Sequence, residues 1–323
     1  METIRDHETY QSALEAFGAT SHSYAGGLSN HGPMAVEALV SMGQRQSIGR
    51  FVERYLPRLE PGVPIPPATM PWRAWLVPHL EDLVGAAGRH AGHGLLRVAH
   101  AVRGLRRCEA TGAPDAVLLA ELARGVDYWS RGSEVLPAPD QLVGDRSPVM
   151  WAAAVSRLPA RDRVDGLLTV NLSAAARQDG FVEQVASLAP AATVPDTLDA
   201  IALEATGAYL ANRDIAAFAL LHGVTVSTMA RELVALLDDR SANRLLGAVA
   251  AFVAAAIAGF DEALPDVAAS ASHPAADLLA LGAADTLDDH TIKFTDAALG
   301  LAERSGSELP LRAAHRRIEE TRR

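Results

Sequence analysis

Apolar residues recur every three or four positions along most of the chain, with polar residues between them. This spacing places the apolar side chains on one face of an α-helix. One helix is predicted just after Pro33, because a proline suits a first helical turn. Further helices are predicted over 46–56, 72–87, 92–106, 114–130, 149–158, 161–177, 197–210, 215–221, 226–237, 245–260 and 285–303. No alternating pattern predicts a strand, so we expect an all-α fold.

The segment from Pro57 to Pro71 interrupts this pattern with six prolines. Proline lacks a backbone N–H, so we expect an extended, Pro-rich strap over the surface there. The ends, residues 1–18 and 308–323, are strongly charged and are predicted to be peripheral. We therefore predict a single domain, 1–323, built as a multi-helix array with one strap.

The amino-acid composition and net charge indicate a helical protein and argue against several classes of binding partner. The chain is 49% hydrophobic but only 5% aromatic, which is typical of packed helices, and its net charge of -10 argues against nucleic-acid binding. The longest run without a charged residue or a histidine, Leu245–Phe260, has 16 residues, fewer than the ~18–20 needed to span a bilayer. Cys108 has no partner for an internal disulfide, which suits a reducing compartment. We expect a cytoplasmic protein with no membrane or nucleic-acid partner; a homo-oligomer stays open.

The only lysine in the chain, Lys293, lies in the stretch Asp288–Thr295. In a helix, His290 and Lys293 share a face that also carries Ala297, so the amine is predicted to be buried. Burial favours the neutral amine, which can act as a nucleophile, form a Schiff base, or take up carbon dioxide to become a carbamate. A carbamate is an anionic oxygen ligand for a metal. The alternative is a lysine extending from a helix end into solvent.

Histidines supply the other candidate chemistry. His31, His93 and His222 are each followed by glycine, at a predicted helix start or break, and we combine them with His290 and Lys293 as candidate metal ligands. No spacing among them is by itself a diagnostic metal motif.

The stripe formed by His93, Arg97 and His100 lies on one predicted helix face and needs partners there. His93 and His100 are about 10.5 Å apart along a helix, so one metal is expected to bind only one of them. We place His93 among the metal ligands and His100 behind these ligands or against a substrate. The opposite assignment, with His100 as the ligand, stays open. Arg97 is a candidate for binding a substrate oxyanion or for pairing with Glu121. Glu37 could orient His31 or the lysine, or lie on a solvated face.

Several blocks together resemble the questin oxidase-like family, in that family's order and over residues 20–300. They are Asn30–Ala35, His93–Arg103, Glu121–Trp129, Leu221–Thr225 and His290–Lys293. The resemblance implies oxidation or opening of an aromatic ring with dioxygen (O2), including Baeyer–Villiger-type oxidation, on polycyclic polyketide substrates such as anthraquinones, in secondary metabolism. If NADPH takes part, we expect it to act as a reductant that diffuses in from solvent, because the sequence contains no dinucleotide-binding fingerprint.

The resemblance also implies a non-haem iron centre, Fe(2+), held by histidines and a carboxylated lysine. The ligands it implies are His31, His93, His222, His290 and Lys293, with His100 as a substitute. The chain is shorter than the family between Ser130 and Pro195 and poor in aromatic residues, so we expect its substrate pocket to differ from that of the family. Two alternatives remain: an all-α metal-dependent hydrolase, and a non-catalytic helical ligand-binding protein.

Overall fold

The computed structural model describes residues 2–112, 115–132, 134–158, 168–260 and 272–323. Within them the protein is all-α. The helices are α1 Glu2–Gly18, α2 Gly32–Ser41, α3 Ile48–Tyr55, α4 Trp72–Leu83, α5 His93–Thr111, α6 Ala116–Ser130, α7 Pro148–Val155, α8 Leu168–Ala176, α9 Phe181–Ala186, α10 Val194–Ala211, α11 Asp214–Val234, α12 Asp239–Phe260, α13 Ala276–Thr286, α14 Asp289–Ser305 and α15 Leu309–Arg322. A short antiparallel hairpin, β1 Ser23–Tyr24 and β2 Leu28–Ser29, joins α1 to α2.

The alanine-rich helix α12 lies at the centre of the fold. It packs against α8, α10 and α11, and nearly every side chain from Leu245 to Ala258 is buried. Alanine side chains let neighbouring helices approach closely without losing apolar contact. The helix has the length and composition of a membrane span, but 83% of its most apolar window is buried inside the protein. The predicted buried core helix is therefore present, with an added N-terminal turn and a half.

Both chain ends contribute to the interior, contrary to the prediction that they are peripheral. Tyr10, Leu14 and Phe17 of α1 belong to the main hydrophobic core. Ile318 of α15 is buried in a smaller cluster with α13 and α14. The charges that suggested exposure lie on the outward faces of amphipathic helices, so a high charge density did not imply a detached segment.

Several predicted boundaries shift. The predicted break at His222 is wrong, because α11 continues through His222–Gly223 as one helix. The last predicted helix begins at Asp289 rather than Asp285, since Leu287 adopts a left-handed conformation that ends α13. Residues 59–71 contain no helix, in line with the predicted strap. The predicted helix over 161–177 is observed from Leu168, while 159–167 lie outside the described residues.

Four helices enclose the candidate site. Helix α2 packs against α5 and α14, and α11 packs against both α5 and α14, so the four form a closed bundle. Each carries one of the four candidate histidines at or near the point where it meets its neighbours: His31 caps α2, His93 begins α5, His222 lies within α11 and His290 is the second residue of α14.

We expect Gly92→Ala to destabilise the fold by about 1–3 kcal/mol. Gly92 has a φ of +82°, and a Cβ there would approach Val226 Cγ2 of α11 to 2.3 Å. Gly207→Ala is the control, because a Cβ at Gly207 of α10 would meet nothing within 4 Å, and alanine is the better helix former. Urea denaturation measures both, and equal effects of the two changes would contradict the account of Gly92.

Candidate metal centre

His31 is fixed by the loop that leads into α2. The side chain of Asn30 donates to Thr20 Oγ1 and to the carbonyl of Ser21, and its Oδ1 accepts from the backbone N–H of Gly32. The backbone N–H of His31 donates to the hydroxyl of Tyr55 at 2.9 Å. This local network holds His31 at the N-cap of α2, as its place before Pro33 predicted.

His93 is placed by a strained turn. His90, Ala91 and Gly92 all have positive φ, at 53°, 55° and 82°, and α5 begins directly after them. Left-handed conformations at two residues with side chains cost free energy and tend to occur at functional sites. The turn aims the carbonyl of His90 at Nδ1 of His93, which donates to it. The His90 ring stacks on Tyr128, with centroids 4.5 Å apart, and so anchors the turn.

The four imidazole rings form a closed circle. Ring centroids are 4.6 Å apart for His31 and His93, 5.2 Å for His93 and His222, 5.4 Å for His222 and His290, and 4.5 Å for His290 and His31. Ligand atoms of His31, His93 and His290 all lie within 4.8 Å of one another. The structure thus brings together all four histidines that were combined from distant parts of the sequence.

The Nδ1 atoms of these rings face hydrogen-bond acceptors. His93 Nδ1 donates to the carbonyl of His90, and His222 Nδ1 donates to the carbonyl of Phe218 at 2.9 Å. His31 Nδ1 donates to Asp289 Oδ2. A proton on Nδ1 leaves Nε2 with a free lone pair. In the described residues, Nε2 of His31 and of His93 is buried without any hydrogen-bond partner.

A buried lone pair without a partner costs free energy, and two in adjacent rings cost more. A metal ion removes this cost, because neutral imidazole nitrogen is a common ligand and its other nitrogen usually donates to a carbonyl or carboxylate. Burial lowers the pKa of His31 to about 3, with Lys293 as the next cause, and holds the pKa of His93 and His222 well below the usual value. These rings are therefore neutral and available as ligands at pH 7.

Asp289 supplies the negative charge beside the rings. Its Oδ2 accepts from His31 Nδ1 and lies 3.1 Å from His290 Nδ1. Burial alone would raise the pKa of Asp289, but the His290 and His31 imidazoles outweigh it and hold the pKa well below the usual range. One carboxylate oxygen therefore orients two of the four rings and links α2 to α14.

Lys293 is buried, as predicted, with 4% of its surface exposed. Burial lowers the pKa of Lys293 to about 8, against the opposing influence of Asp289 and Asp288. No hydrogen bond or ion pair of its amine is found among the described residues. Its charge contributes to the lowered pKa of His31, His93 and His222, so the amine lies near all three rings.

Three helix N-termini meet at the cluster. Helix α2 begins just after His31, α5 begins at His93, and α14 begins at Asp289. The N-terminal end of a helix carries a partial positive charge, which stabilises anions and disfavours protonated imidazole. The arrangement stabilises the Asp289 carboxylate and any further anion formed at the site. The cluster reaches the surface at His290 and Phe218, which are half-buried with rings 4.7 Å apart.

Arg97 and His100 are engaged elsewhere. Arg97 donates to both oxygens of Glu121, at 2.6 and 2.8 Å, and is 1% exposed. Of the two roles suggested for Arg97, binding a substrate oxyanion or pairing with Glu121, the structure shows the ion pair with Glu121. His100 Nδ1 lies 2.6 Å from Glu37 Oε2, and no ring contact joins His100 to the other four histidines. Contact of either side chain with a substrate stays a prediction, and Glu37 is neither solvated nor bonded to His31 or Lys293.

Sequence reasoning missed three partners of the rings. Asp289 lies beside His290 in the stretch that drew attention to Lys293, and its adjacency to a histidine was the available signal. The carbonyls of His90 and Phe218 are backbone groups, so no residue type could have indicated them.

No protein-family model matches the chain, and neither a curated protein nor a solved structure is significantly similar to it. The resemblance to the questin oxidase-like family therefore stays a hypothesis that depends on the quoted blocks.

We expect Asp289→Ala to lower the affinity for Co2+, a spectroscopic probe of histidine sites, by about 10–100-fold. Asp289→Asn keeps an acceptor oxygen but loses the charge, so its loss should be smaller. Asp285→Asn is the control, since Asp285 is half exposed and pairs only weakly with Arg50 at 3.7 Å. Titration calorimetry measures the affinities; unchanged binding in Asp289→Ala would show that the carboxylate does not orient the rings.

Stability of the metal-free protein should depend on the protonation of Lys293. Between pH 8 and 10.5 the unfolded chain holds the lysine proton and the folded chain does not, so the folded state gains stability as pH rises through this window. The gain is roughly 3 kcal/mol. Lys293→Met should abolish it. Urea denaturation from pH 7 to 10 tests this, and a stability difference between the two proteins that does not change with pH would contradict it.

Proposed function

We propose that this protein is a non-haem iron-dependent oxygenase that acts on a polycyclic aromatic substrate with O2. The observation that supports it most directly concerns His31 and His93. Both imidazoles are buried and neutral, their Nδ1 atoms are hydrogen-bonded, and their Nε2 atoms lack a partner among the described residues. His31, His93, His222 and His290 would hold the metal, and Lys293 would complete the set.

The donor set suits iron. Imidazole nitrogen binds Fe, Zn, Cu and Ni, and an anionic oxygen donor beside imidazoles favours Fe(2+). When bound, ferrous iron supplies a one-electron path between O2 and an electron-rich phenol or hydroquinone. Asp289 Oδ2 already accepts from Nδ1 of His31 and lies 3.1 Å from Nδ1 of His290.

Lys293 is proposed to carry a carbamate. The ammonium would first lose one proton to solvent. The neutral amine would then attack carbon dioxide, forming a C–N bond as one C–O π bond opens and releasing a second proton, so that overall the side chain changes from a cation to an anion with two oxygen atoms. The pKa of about 8 makes the neutral amine accessible near pH 7. A protonated Lys293 would repel a metal cation, whereas the carbamate attracts it and is stabilised by the positive ends of the surrounding helices.

The remaining residues determine orientation and access. Asp289 keeps His31 and His290 in the Nδ1–H form, and the carbonyls of His90 and Phe218 do the same for His93 and His222. Buried surroundings exclude water from the rings on all sides except that of His290 and Phe218. We expect an aromatic substrate to approach from this side and pack on the Phe218 ring. NADPH, if used, would diffuse in from solvent.

The proposal is tested by purifying the protein without oxygen and measuring bound metal together with O2 uptake on a series of hydroquinones and anthraquinols. We expect about one iron per chain and substrate-dependent uptake. His222→Ala and Lys293→Met should each lose at least tenfold in iron affinity, because each removes a ligand. His79→Ala is the control, since His79 lies on α4 and bonds only the carbonyl of Trp75.

Removal of bicarbonate should lower iron binding by the wild type but not by Lys293→Met. Tightly bound zinc without O2 uptake would favour the hydrolase instead. A chain that takes up no metal, with Lys293→Met indistinguishable from the wild type, would leave a helical ligand-binding protein.

A further inference from the structure

A second polar cluster lies inside the protein, apart from the imidazole circle. Glu37 of α2 is 1% exposed and binds three groups of α5. Its carboxylate accepts from Arg103, from Arg107 at 2.6 Å and from His100 at 2.6 Å. Arg103 also donates to Asp296 of α14 at 2.6 Å. These contacts connect α2, α5 and α14.

The same three helices carry three of the four clustered histidines. Glu37 follows His31 by six residues, His100 follows His93 by seven, and Asp296 follows His290 by six. At 1.5 Å per residue, Glu37, His100 and Asp296 lie about 9–10.5 Å along their helices from the imidazole site. Helices α2, α5 and α14 therefore meet twice: at the imidazoles near their N-termini, and again through the hydrogen bonds of this second cluster further along.

This cluster could be mistaken for a second metal site, because ligand atoms of Glu37, His100 and Asp296 lie within 4.8 Å of one another. The Arg103 guanidinium already occupies the place of a cation, since it binds both carboxylates. Arg107 adds a second positive charge on Glu37. Two carboxylates are thus balanced by two guanidinium groups, and no metal ion is required.

We propose that Glu37, Arg103 and Asp296 form a positioning network that sets the relative register of α2, α5 and α14, and so aligns His31, His93 and His290. A one-turn slip or a small rotation of any of these helices would break bonds to the network and would also move an imidazole. Among the described residues, no hydrogen bond or ion pair joins helix α11 to Glu37, Arg103 or Asp296, so the network does not hold His222 directly. The expected effect of the network on metal affinity rests on the proposed function, whereas its effect on the positions of the imidazole rings does not.

The test compares two buried carboxylates that both pair with an arginine of α5. Glu37→Gln breaks the network, whereas Glu121→Gln weakens the Arg97 pair, which joins α5 to α6, a helix without a site residue. Both changes should lower the melting temperature. Only Glu37→Gln should lower Co2+ affinity, by about tenfold, and alter the visible spectrum of bound Co2+. Asp296→Asn should repeat this effect and serves in place of Glu37→Gln if that variant does not fold.

A second measurement needs no metal. In metal-free protein labelled with 15N-histidine, Glu37→Gln should shift the ring signals of His31, His93 and His290 more than that of His222, while Glu121→Gln should leave all four in place. Equal shifts at all four rings, or none, would overturn the proposal, as would equal losses of Co2+ affinity in the two glutamine variants. If the wild type binds no Co2+, the proposed function fails and the ring shifts alone decide whether the network positions the imidazoles.

Discussion

One oxygen atom of Asp289 joins α2, near the start of the chain, to α14, near its end. It accepts from His31 at the start of α2 and lies 3.1 Å from Nδ1 of His290 at the start of α14, and it is buried together with the His31 ring. A buried carboxylate is stable only when its charge and lone pairs are compensated, so the contact requires α2 and α14 to meet at their N-termini. The closed circle of imidazoles follows from this meeting, because α5 and α11 pack against the same pair of helices.

The protein spends stability to assemble this site. In the part of the chain that the structure describes, Nε2 of His31 and of His93 is buried without a partner, two successive residues with side chains take left-handed conformations before α5, and a lysine amine is removed from water. Each of these features destabilises a fold that has no use for it. Their concentration around one group of rings is the physical reason to regard the cluster as a site rather than as an accident of packing.

The rest of the bundle compensates for these costs at some distance. The guanidinium groups of Arg103 and Arg97 neutralise buried carboxylates on either side of α5, and the alanine-rich α12 supplies a dense apolar core against α8, α10 and α11. Rigid helices joined at two levels keep four side chains from separate parts of the sequence within contact distance. A flexible loop would lose more conformational entropy on ordering.

Helical periodicity and an unusual residue are local signals, so four features could be predicted from the sequence alone: the all-α class, the position of His31 before α2, the burial of Lys293 and the histidines that lie together. The sequence could not assign the continuity of α11 through Gly223, the burial of both chain ends or the role of Asp289. Those depend on which surfaces face one another: a charge is buried when a partner from a distant helix meets it, and a glycine continues a helix when neighbouring helices support it. His100 and Glu37 show the difference most clearly. The sequence places His100 on a polar stripe of an apolar helix and leaves Glu37 either solvated or beside His31 or Lys293. Only the packing of α2 against α5 decides that they pair with each other.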